Sequence, residues 1–495
     1  MKNKLLLLFT IIIAIFLRCY NLGNVPPSAS LDEASIGYNA YSILKTGVDE
    51  YGAKFPILLR AYDDWRPALY IYPVIPFIKL IGLNVLAVRL PSVILSILTI
   101  FATYLLIKEL FKKESLALLT FFLLAISPWH IYISRLGHEV NAGLSFAIFA
   151  ILFFLKAISS KKNLFLILSS IFFALSLYTY QSEKVFIPLI LFSLIIIYKD
   201  RLFKIEKKTL MLALFLGLVL IIPITLVTMS PEGLARFRGT SAFKEESFYK
   251  ESADKILKYK NEGNIVGEMI NNRRLVPLKI FVTNYFSHFH PNFIFFNSGN
   301  ESFKAPNFGL LYVWEFPFLI LGFVLLLKKR DIKVRLLLGY WLLIAFIAPS
   351  LTTGAPHAMR AFNVLPIPQI LIALGLMGIT NFIKEKRKKN ILNFFYISMI
   401  IIVIYFLGIF CKEYFYSFPK NQSSSFQYSL RNAIKFVLKK EKSYDKIVFS
   451  NKDNLYQSYM FFLFYGEYDP KLYQRQGGTK SGGFAQSHIF GKYNF

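Results

Sequence analysis

Acidic residues and cysteines are scarce in this sequence. Of its 495 residues, 29 are Asp or Glu and two are Cys, whereas 55% are hydrophobic. Cys19 and Cys411 leave open a disulfide or two separately buried thiols, and the second is favoured. The sequence has no Gly-rich phosphate loop, and HEVNA at 138–142 is not the zinc motif HExxH because position 142 is Ala. The usual motifs of nucleotide-binding enzymes and zinc proteases are therefore missing.

Basic residues exceed acidic ones, giving a net charge of +28. In a soluble protein this excess would indicate nucleic-acid binding. Here the charges come in short clusters between long apolar runs, which indicates a polytopic membrane protein with no nucleic-acid partner. We predict eleven helical spans, at 4–20, 88–107, 115–133, 141–155, 163–179, 185–198, 209–229, 309–327, 334–349, 361–383 and 390–411. A further apolar run at 69–83 contains Pro73 and Pro76 and is predicted to lie at the interface or to re-enter the membrane.

The basic clusters also predict the topology. They fall in alternate loops, at 108–113, 156–162, 199–208, 328–335 and 384–389. The positive-inside rule then places the N-terminus in the cytoplasm of a cell membrane, and an odd number of spans places the C-terminus outside. The predicted domains are a transmembrane domain at 1–411, with long outer loops at 21–87 and 230–308, and an external domain at 412–495. In this tail the patterns predict helix, strand and helix, a small α/β unit, with a loose end after 471.

Two adjacent carboxylates, Asp32-Glu33, follow the first apolar run. In a chain with so few acids, this pair just outside a span is a candidate catalytic site. The alternative is that Ser30 or Asp32 caps a helix from about residue 34 to 44. A second pair, Asp49-Glu50, lies between glycines and favours a turn. Whether that pair or Asp63-Asp64 contributes to a site is left open.

Other candidate residues lie at the outer ends of the spans. Arg66 has two interpretations, a phosphate ligand or an anchor at the headgroup level. Arg360 is the only basic residue of its loop and opens a helix whose dipole disfavours a cation, so it is predicted to bind an anion. Further candidates for substrate binding are Arg135, His138, Glu139, Tyr180, Gln181 and His357. The histidines lack metal-ligand spacing, so no metal site and no cofactor is predicted, and dependence on a divalent metal is left open.

Together these features resemble the GT-C glycosyltransferases, and most closely glycosyltransferase family 39, the protein O-mannosyltransferase and aminoarabinose transferase group. The resemblance covers roughly residues 1–410. It rests on Leu31-Asp32-Glu33-Ala34 with Tyr38 and Ala40, RPALY at 66–70, RLPS at 89–92, and the pattern of His357, Arg360 and Pro366. Ala68 stands where the group often has a second proline, and HEVNA departs from the group's second acidic loop.

The resemblance implies a GT-C fold and transfer of a sugar, with inversion, from a polyprenyl-phosphate donor to a hydroxyl at the outer face. It implies that Asp32 is the general base, with Glu33 beside it in the catalytic pair. Arg360, with Arg66, would stabilise the leaving phosphate, since a guanidinium holds two phosphate oxygens at once. The sugar is left open, and so is the acceptor, a protein, a glycolipid or a polysaccharide.

Two other classes of protein remain as alternatives. A flippase or transporter of lipid-linked sugars would need polar residues inside the spans, and these are largely missing. No internal repeat supports an inverted-repeat transporter either. A structural membrane protein that binds partners through its outer loops would give no reason for the positions of Asp32 and Arg360.

Overall fold

Helices that follow the apolar runs make up most of the structure. The computed structural model describes residues 2–62, 64–160, 162–244, 246–296, 301–329, 331–450, 455, 457–480 and 488–495. Several helices begin at a side chain whose oxygen accepts a hydrogen bond from a first-turn backbone N–H, among them those after Asn84, Ser230 and Asp331. Such caps satisfy donors that have no partner inside a helix.

The elements of the first part of the chain are α1 (Lys2–Cys19), α2 (Leu31–Thr46), β1 (Leu58–Ala61), β2 (Asp64–Pro67), α3 (Ile71–Ile81), α4 (Val85–Phe111), α5 (Glu114–Ile126), α6 (Pro128–Ser134), α7 (Glu139–Ser160), α8 (Asn163–Leu177), α9 (Glu183–Leu202) and α10 (Lys207–Thr228). The following polar segment holds α11 (Pro231–Thr240), α12 (Glu246–Asn261), α13 (Ile265–Ile270) and α14 (Val276–Ser287).

The remaining elements return to the apolar bundle and end in the tail. They are α15 (Phe316–Leu327), α16 (Ile332–Ala345), α17 (Ile347–Ser350), α18 (Ile367–Glu385), α19 (Lys389–Lys412), α20 (Phe418–Asn421), α21 (Tyr428–Lys440), β3 (Ile447–Val448), α22 (Ser458–Tyr465), α23 (Pro470–Arg475), β4 (Ile489–Phe490) and β5 (Tyr493–Asn494).

Each predicted span lies mostly on one helix or, at 115–133 and 334–349, on two successive helices. Among the described residues, six helices are long and apolar enough to cross a membrane: Val85–Phe111, Glu139–Ser160, Lys207–Thr228, Ile332–Ser350, Phe362–Glu385 and Lys389–Asn421. The pair α5 and α6, bent by 56°, gives a seventh if it counts as one span. The helices of the other predicted spans are α1, α8, α9 and α15. Each of them is too short, or has too many charged residues, to count as a membrane-crossing helix by length and composition. The multi-pass helical membrane fold is confirmed, and the number eleven stays a prediction.

The segment predicted to be the first outer loop contains more structure than its sequence indicates. The run at 69–83 is confirmed as helical, since α3 occupies most of it with Pro76 inside. An antiparallel hairpin of β1 and β2, which was not predicted, pairs Leu59 with Arg66. This hairpin fixes the position of Arg66, whose side chain is buried.

The C-terminal tail has the predicted helix, strand and helix as α21, β3 and α22. In its small sheet β5 lies between β3, to which it runs parallel, and β4, to which it runs antiparallel. The expectation of a loose end is wrong for residues 488–495, because Phe490, Tyr493 and Phe495 are buried. These aromatic side chains outweigh the Gly and Ser content on which the expectation rested. Residues 481–487 lie outside the described part.

The tail and the first outer loop share one hydrophobic core. Buried residues of α2 and α3 cluster with those of α21 and α22, separately from the larger core of the helix bundle. At Gly37 a Cβ would lie 2.4 Å from the ring of Phe464, so only glycine allows this approach of α22 to α2. The tail therefore packs directly on the helix that carries Asp32-Glu33.

The predicted topology is testable with reporter fusions. Fusions at Lys112 and Lys329 should report the cytoplasm, because both residues lie in basic clusters, and a fusion after Asn421 should report the outside. Enzymatic reporters active on one side of the membrane make this measurement. A cytoplasmic signal from the Asn421 fusion would reverse the side assigned to every site residue described below.

Candidate active site

Asp32 and Glu33 start α2 and point in different directions. Ser30 caps the helix: its side chain accepts a hydrogen bond from the Glu33 backbone N–H, and the Glu33 carboxylate accepts one from the Ser30 backbone N–H. This is a reciprocal capping box. The Glu33 side chain is 1% exposed, whereas Asp32 is 45% exposed. Glu33 thus takes part in capping the helix, and Asp32 remains the candidate for catalysis.

Glu33 is held by a buried arginine. Arg89 Nε lies 2.7 Å from Glu33 Oε1 and Arg89 Nη2 lies 2.9 Å from Oε2. The Gly137 backbone N–H also donates to Oε1, at 2.8 Å. Arg89 in turn donates to the carbonyls of Leu22, Pro26 and Ser28. Both Glu33 oxygens are therefore used in joining α2, α4 and the segment before α7, which assigns Glu33 to positioning Asp32.

Asp32 faces cations from three other parts of the chain. Arg66 Nη2, on β2, lies 2.9 Å from Asp32 Oδ1, and His138 Nε2 lies 3.5 Å from Oδ2. Burial opposes the charge on this carboxylate, but Arg66, then His138 and Arg236, outweigh it and hold the pKa of Asp32 well below its usual range. Asp32 is therefore ionised near neutral pH and able to accept a proton.

A cavity of about 250 Å³ is connected to this carboxylate through Arg236, which lines the cavity and interacts with Asp32. Its walls come from the start of α9, the end of α10, α11, and the segment from α17 to residue 360, and they are mainly apolar. Three cations line it: Lys184, Arg236 and Arg360. Because Arg236 also acts on Asp32, the cavity and the carboxylate belong to one site. An apolar pocket with clustered cations fits an anion that carries an apolar tail.

The three cations differ in their partners. Arg236 forms an ion pair with Asp64. Arg360 Nη1 donates to Thr352 Oγ1 at 2.7 Å and to the Thr353 carbonyl at 2.6 Å. Lys184 Nζ is buried and has no hydrogen-bond partner among the described residues. A buried ammonium without a partner is costly, so the pocket favours an anion at this point.

Most of the other predicted residues lie at the same end of the bundle. Tyr180 and Gln181 line the cavity, and burial raises the pKa of Tyr180 to about 12, against the opposing effect of Arg360. Tyr180 is therefore a neutral hydroxyl at physiological pH. His357 Nδ1 lies 2.6 Å from Glu301 Oε1, which also accepts the Ala358 backbone N–H. This contact fixes the backbone just before Arg360.

Arg135 is placed differently from the prediction of a substrate ligand. Its guanidinium is buried and donates to four backbone carbonyls, those of Leu17, Arg18, Tyr20 and Val25, at 2.8–3.0 Å. These bonds hold the chain between α1 and α2. The structure therefore gives Arg135 a structural position, because the carbonyls occupy its Nη1 and Nη2 donors.

Both a part of the sequence and the fold are similar to those of known proteins. Residues 66–226 match a family described as dolichyl-phosphate-mannose-protein mannosyltransferase. The chain is also similar to ArnT from Cupriavidus metallidurans bound to undecaprenyl phosphate, with a TM-score of 0.55 and 11% identity over 93% of this chain and 84% of that one. The chain therefore has the GT-C fold.

Archaeal oligosaccharyltransferases share the GT-C fold with the chain. The Archaeoglobus fulgidus enzyme tethered to an acceptor peptide gives a TM-score of 0.52 at 14% identity, covering 93% of this chain and 59% of that one. The same organism's AglB, in complex with an inhibitory peptide and a dolichol-phosphate, gives 0.52 at 15% identity with the same coverage. The chain thus spans about three fifths of their length, and the likeness concerns the fold alone. A comparison with curated proteins gave no match.

Two of the cations that line the cavity were not predicted from the sequence. Arg236 lies on α11 in the second outer loop, where charged residues are common and none stands out. Lys184 could have been predicted from the sequence, because it is a basic residue at the predicted outer end of a span, as Arg360 is. The prediction drawn for Arg360 from the positive-inside rule applies equally to Lys184.

The other acid pairs of the first outer loop have separate positions. Asp64 pairs with Arg236 at the edge of the site, and Asp63 lies outside the described residues. Glu50 is buried, accepts hydrogen bonds from Asn39 and Thr479, and joins α2 to the tail. Burial raises the pKa of Glu50 to about 7.

In the part of the chain that the structure describes, no group of three or more His, Cys, Asp and Glu is arranged to hold a metal ion.

Stability measurements can separate the two carboxylates at the start of α2. Glu33→Gln should lower the free energy of unfolding by about 3–5 kcal/mol, because it leaves the buried Arg89 without its counter-charge. Asp32→Asn removes a half-exposed charge and should change stability much less. Thermal unfolding of both variants in the same detergent makes the comparison. Equal melting temperatures for Glu33→Gln and the unmodified protein would contradict the structural role of Glu33.

Proposed function

We propose that this chain transfers a sugar from a polyprenyl-phosphate donor to an acceptor hydroxyl at the outer face of a cell membrane, with Asp32 as general base. The observation that carries the proposal is the ionised, half-exposed Asp32 beside an apolar cavity lined by Lys184, Arg236 and Arg360. A lipid-linked phosphate has the two properties that this cavity selects, an anionic group and a long apolar chain. The similar ArnT and AglB structures contain undecaprenyl phosphate and dolichol-phosphate.

In the proposed reaction the acceptor oxygen attacks the anomeric carbon as the bond from that carbon to the phosphate oxygen breaks. The electron pair of that bond stays on the phosphate, and the acceptor proton passes to Asp32. In-line attack inverts the anomeric configuration. The leaving phosphate already carries negative charge, so no general acid is required. Arg360, Arg236 and Lys184 stabilise the additional charge that the phosphate gains.

Arg66 couples donor binding to the basicity of Asp32. Its ion pair with Asp32 is the strongest of the contacts that hold the pKa of this carboxyl down. A donor phosphate that draws the guanidinium towards itself weakens this pair. The pKa of Asp32 then rises towards its usual range, and the carboxylate becomes a stronger base only when the donor is present.

The acceptor is a hydroxyl compound that reaches Asp32 from the exposed side. Protein side chains, glycolipids and surface polysaccharides all carry such hydroxyls. The A. fulgidus enzyme is tethered to an acceptor peptide, but this chain spans only 59% of that protein. The peptide therefore does not identify the acceptor of this chain. The assay therefore supplies the acceptor as a membrane extract and identifies the product.

The test is transfer from radiolabelled polyprenyl-phosphate sugars to components of a membrane extract by the purified protein. Asp32→Asn keeps the shape and hydrogen bonding of the side chain but cannot take up the proton, so turnover should fall by about 10²-fold or more. Donor affinity should change little, because the removed charge does not attract a phosphate. Normal turnover by Asp32→Asn would exclude it as the base, and absence of transfer by the unmodified protein with every donor would refute the proposed function.

Arg360 can be tested by donor binding in the absence of acceptor. Arg360→Ala should weaken binding of a non-hydrolysable donor analogue by about 2–5 kcal/mol, because a partly buried charge pair is lost. Arg360→Lys should have a smaller effect in the same direction, since the charge stays but the planar fork is lost. Arg201→Ala, at the exposed far end of α9, is the matched control and should bind normally. Unchanged affinity in Arg360→Ala would exclude a phosphate contact.

A further inference from the structure

Glu183 and Asn363 connect two walls of the cavity by a buried hydrogen bond. The Asn363 side-chain amide donates from Nδ2 to Glu183 Oε1 at 2.7 Å, and both residues are buried. Lys184, the next residue along α9, lines the cavity, and so does Arg360, just before Asn363 in the chain. The bond therefore joins the chain close to two of the three cations that line the cavity.

The Glu183 side chain is fixed by neighbouring helices as well. Ser176 Oγ, on α8, lies 3.2 Å from Glu183 Oε2 and donates to it. On α7 a Cβ at Gly143 would lie 2.6 Å from Glu183 Oε1, so the carboxyl group occupies space that only glycine leaves free. The Asn363 backbone carbonyl in turn accepts a hydrogen bond from Trp341 Nε1, on α16, at 2.7 Å. The link between Glu183 and Asn363 is therefore part of the packed helix bundle.

Arg360 is held on both sides along the chain. Two residues before it, the Ala358 backbone N–H donates to Glu301 Oε1 at 2.7 Å. Three residues after it, the Asn363 side chain donates to Glu183. Glu301 belongs to the segment before α15, whereas Glu183 begins α9, so only the second of these bonds ties Arg360 to the helix that carries Lys184.

Glu139, a further buried carboxylate at this end of the bundle, has a different position. Its side chain, predicted to bind substrate, is 4% exposed and does not line the cavity. Glu139 Oε2 lies 3.3 Å from His138 Nδ1, but that nitrogen accepts the Val140 backbone N–H, and Oε2 has no hydrogen-bond partner among the described residues. Glu139 therefore does not join two parts of the cavity wall, as Glu183 does.

We infer that the bond between Glu183 and Asn363 positions Lys184 relative to Arg360, so that both cations contact one donor phosphate. This inference rests on the proposed function, in which these cations stabilise the phosphate. Lys184 Nζ has no hydrogen-bond partner among the described residues, so its position depends on where α9 begins. A misplacement of about 1 Å can cost about 10²-fold in rate. Glu183 and Asn363 lie behind the cavity wall and act through the cations, so they are positioning residues.

The experiment measures the affinity of the full-length protein for undecaprenyl phosphate. Glu183→Leu leaves the buried Asn363 amide without its acceptor and should weaken binding by about tenfold. Glu183→Gln should bind within about threefold of the unmodified protein, because its amide oxygen still accepts the Asn363 bond. Ser176 then donates to the Gly143 carbonyl, which lies 3.2 Å from its Oγ, and accepts from the new amide. Binding by Glu183→Gln as weak as that by Glu183→Leu would contradict the role of this bond.

The matched control is a second bond between a glutamate and an asparagine. Asn163 Nδ2 donates to Glu206 Oε2 at 3.1 Å, on the exposed side of the bundle that is predicted to be cytoplasmic. Glu206→Leu breaks this bond far from the cavity and should leave the affinity for undecaprenyl phosphate unchanged. A loss in Glu206→Leu equal to that in Glu183→Leu would overturn the inference, because the effect would not be specific to the cavity.

A double variant separates positioning from stability. Glu183→Leu combined with Asn363→Leu leaves no buried polar group unpaired, so it should melt near the temperature of the unmodified protein and still bind about tenfold more weakly. In Lys184→Met, adding Glu183→Leu should change the affinity by less than about twofold, because no ammonium remains to be positioned. Normal binding by the double variant, or a tenfold loss that persists in Lys184→Met, would overturn the inference.

Absence of undecaprenyl phosphate binding by the unmodified protein would refute the proposed function instead. Hydrogen–deuterium exchange of the protein without ligand then decides the inference separately. Glu183→Leu should speed exchange in residues 180–186 and 357–364, which the bond joins, and leave α19 unchanged. Unchanged exchange in both segments would overturn the inference, because the bond would then not hold the two walls together.

Discussion

The pairing of Glu33 with Arg89 determines where Asp32 can lie. Through this pair and its carbonyl contacts, Arg89 joins α2, α4 and residues 22–28, and Glu33 adds the Gly137 backbone. Arg135 holds the end of α1 and the following residues in a similar way. Buried charges of this kind are stable only with complete sets of partners, so they define one arrangement of the segments. This framework carries Asp32 into the site, where Arg66 and His138 contact its carboxylate.

Cations exceed anions around the resulting site. Arg66 and Arg236 are paired with Asp32 and Asp64, whereas Lys184 and Arg360 have no carboxylate partner among the described residues. A phosphate monoester or diester restores the balance of charge, and it becomes more negative as the sugar leaves. In the proposed reaction the site therefore stabilises the departing phosphate more than the bound donor, which is the property that would accelerate transfer. The exposed side of Asp32 stays available to the acceptor.

Hydropathy was sufficient to predict the helices. The Asp32-Glu33 pair and Arg360 became candidates for the site because each departs from the composition of its own segment. The rest depends on contacts between distant segments. The strands β1 and β2 have four residues each, too short for a pattern. Arg236 lies in the site because α11 packs against β2, a contact between segments that are far apart in the sequence. Arg135 was assigned to substrate because a sequence cannot show that carbonyls of residues 17–25 surround its guanidinium.

The most direct measurement is an electron cryomicroscopy structure of the full chain with polyprenyl phosphate. Phosphate density should lie among Lys184, Arg236 and Arg360, with the lipid chain leaving along the apolar cavity wall and Asp32 facing the phosphate across the site. The Arg66 guanidinium should move away from Asp32 towards the phosphate. Phosphate density elsewhere, for example in the apolar groove between Phe296 and Phe406, with the cation cavity empty, would contradict the account.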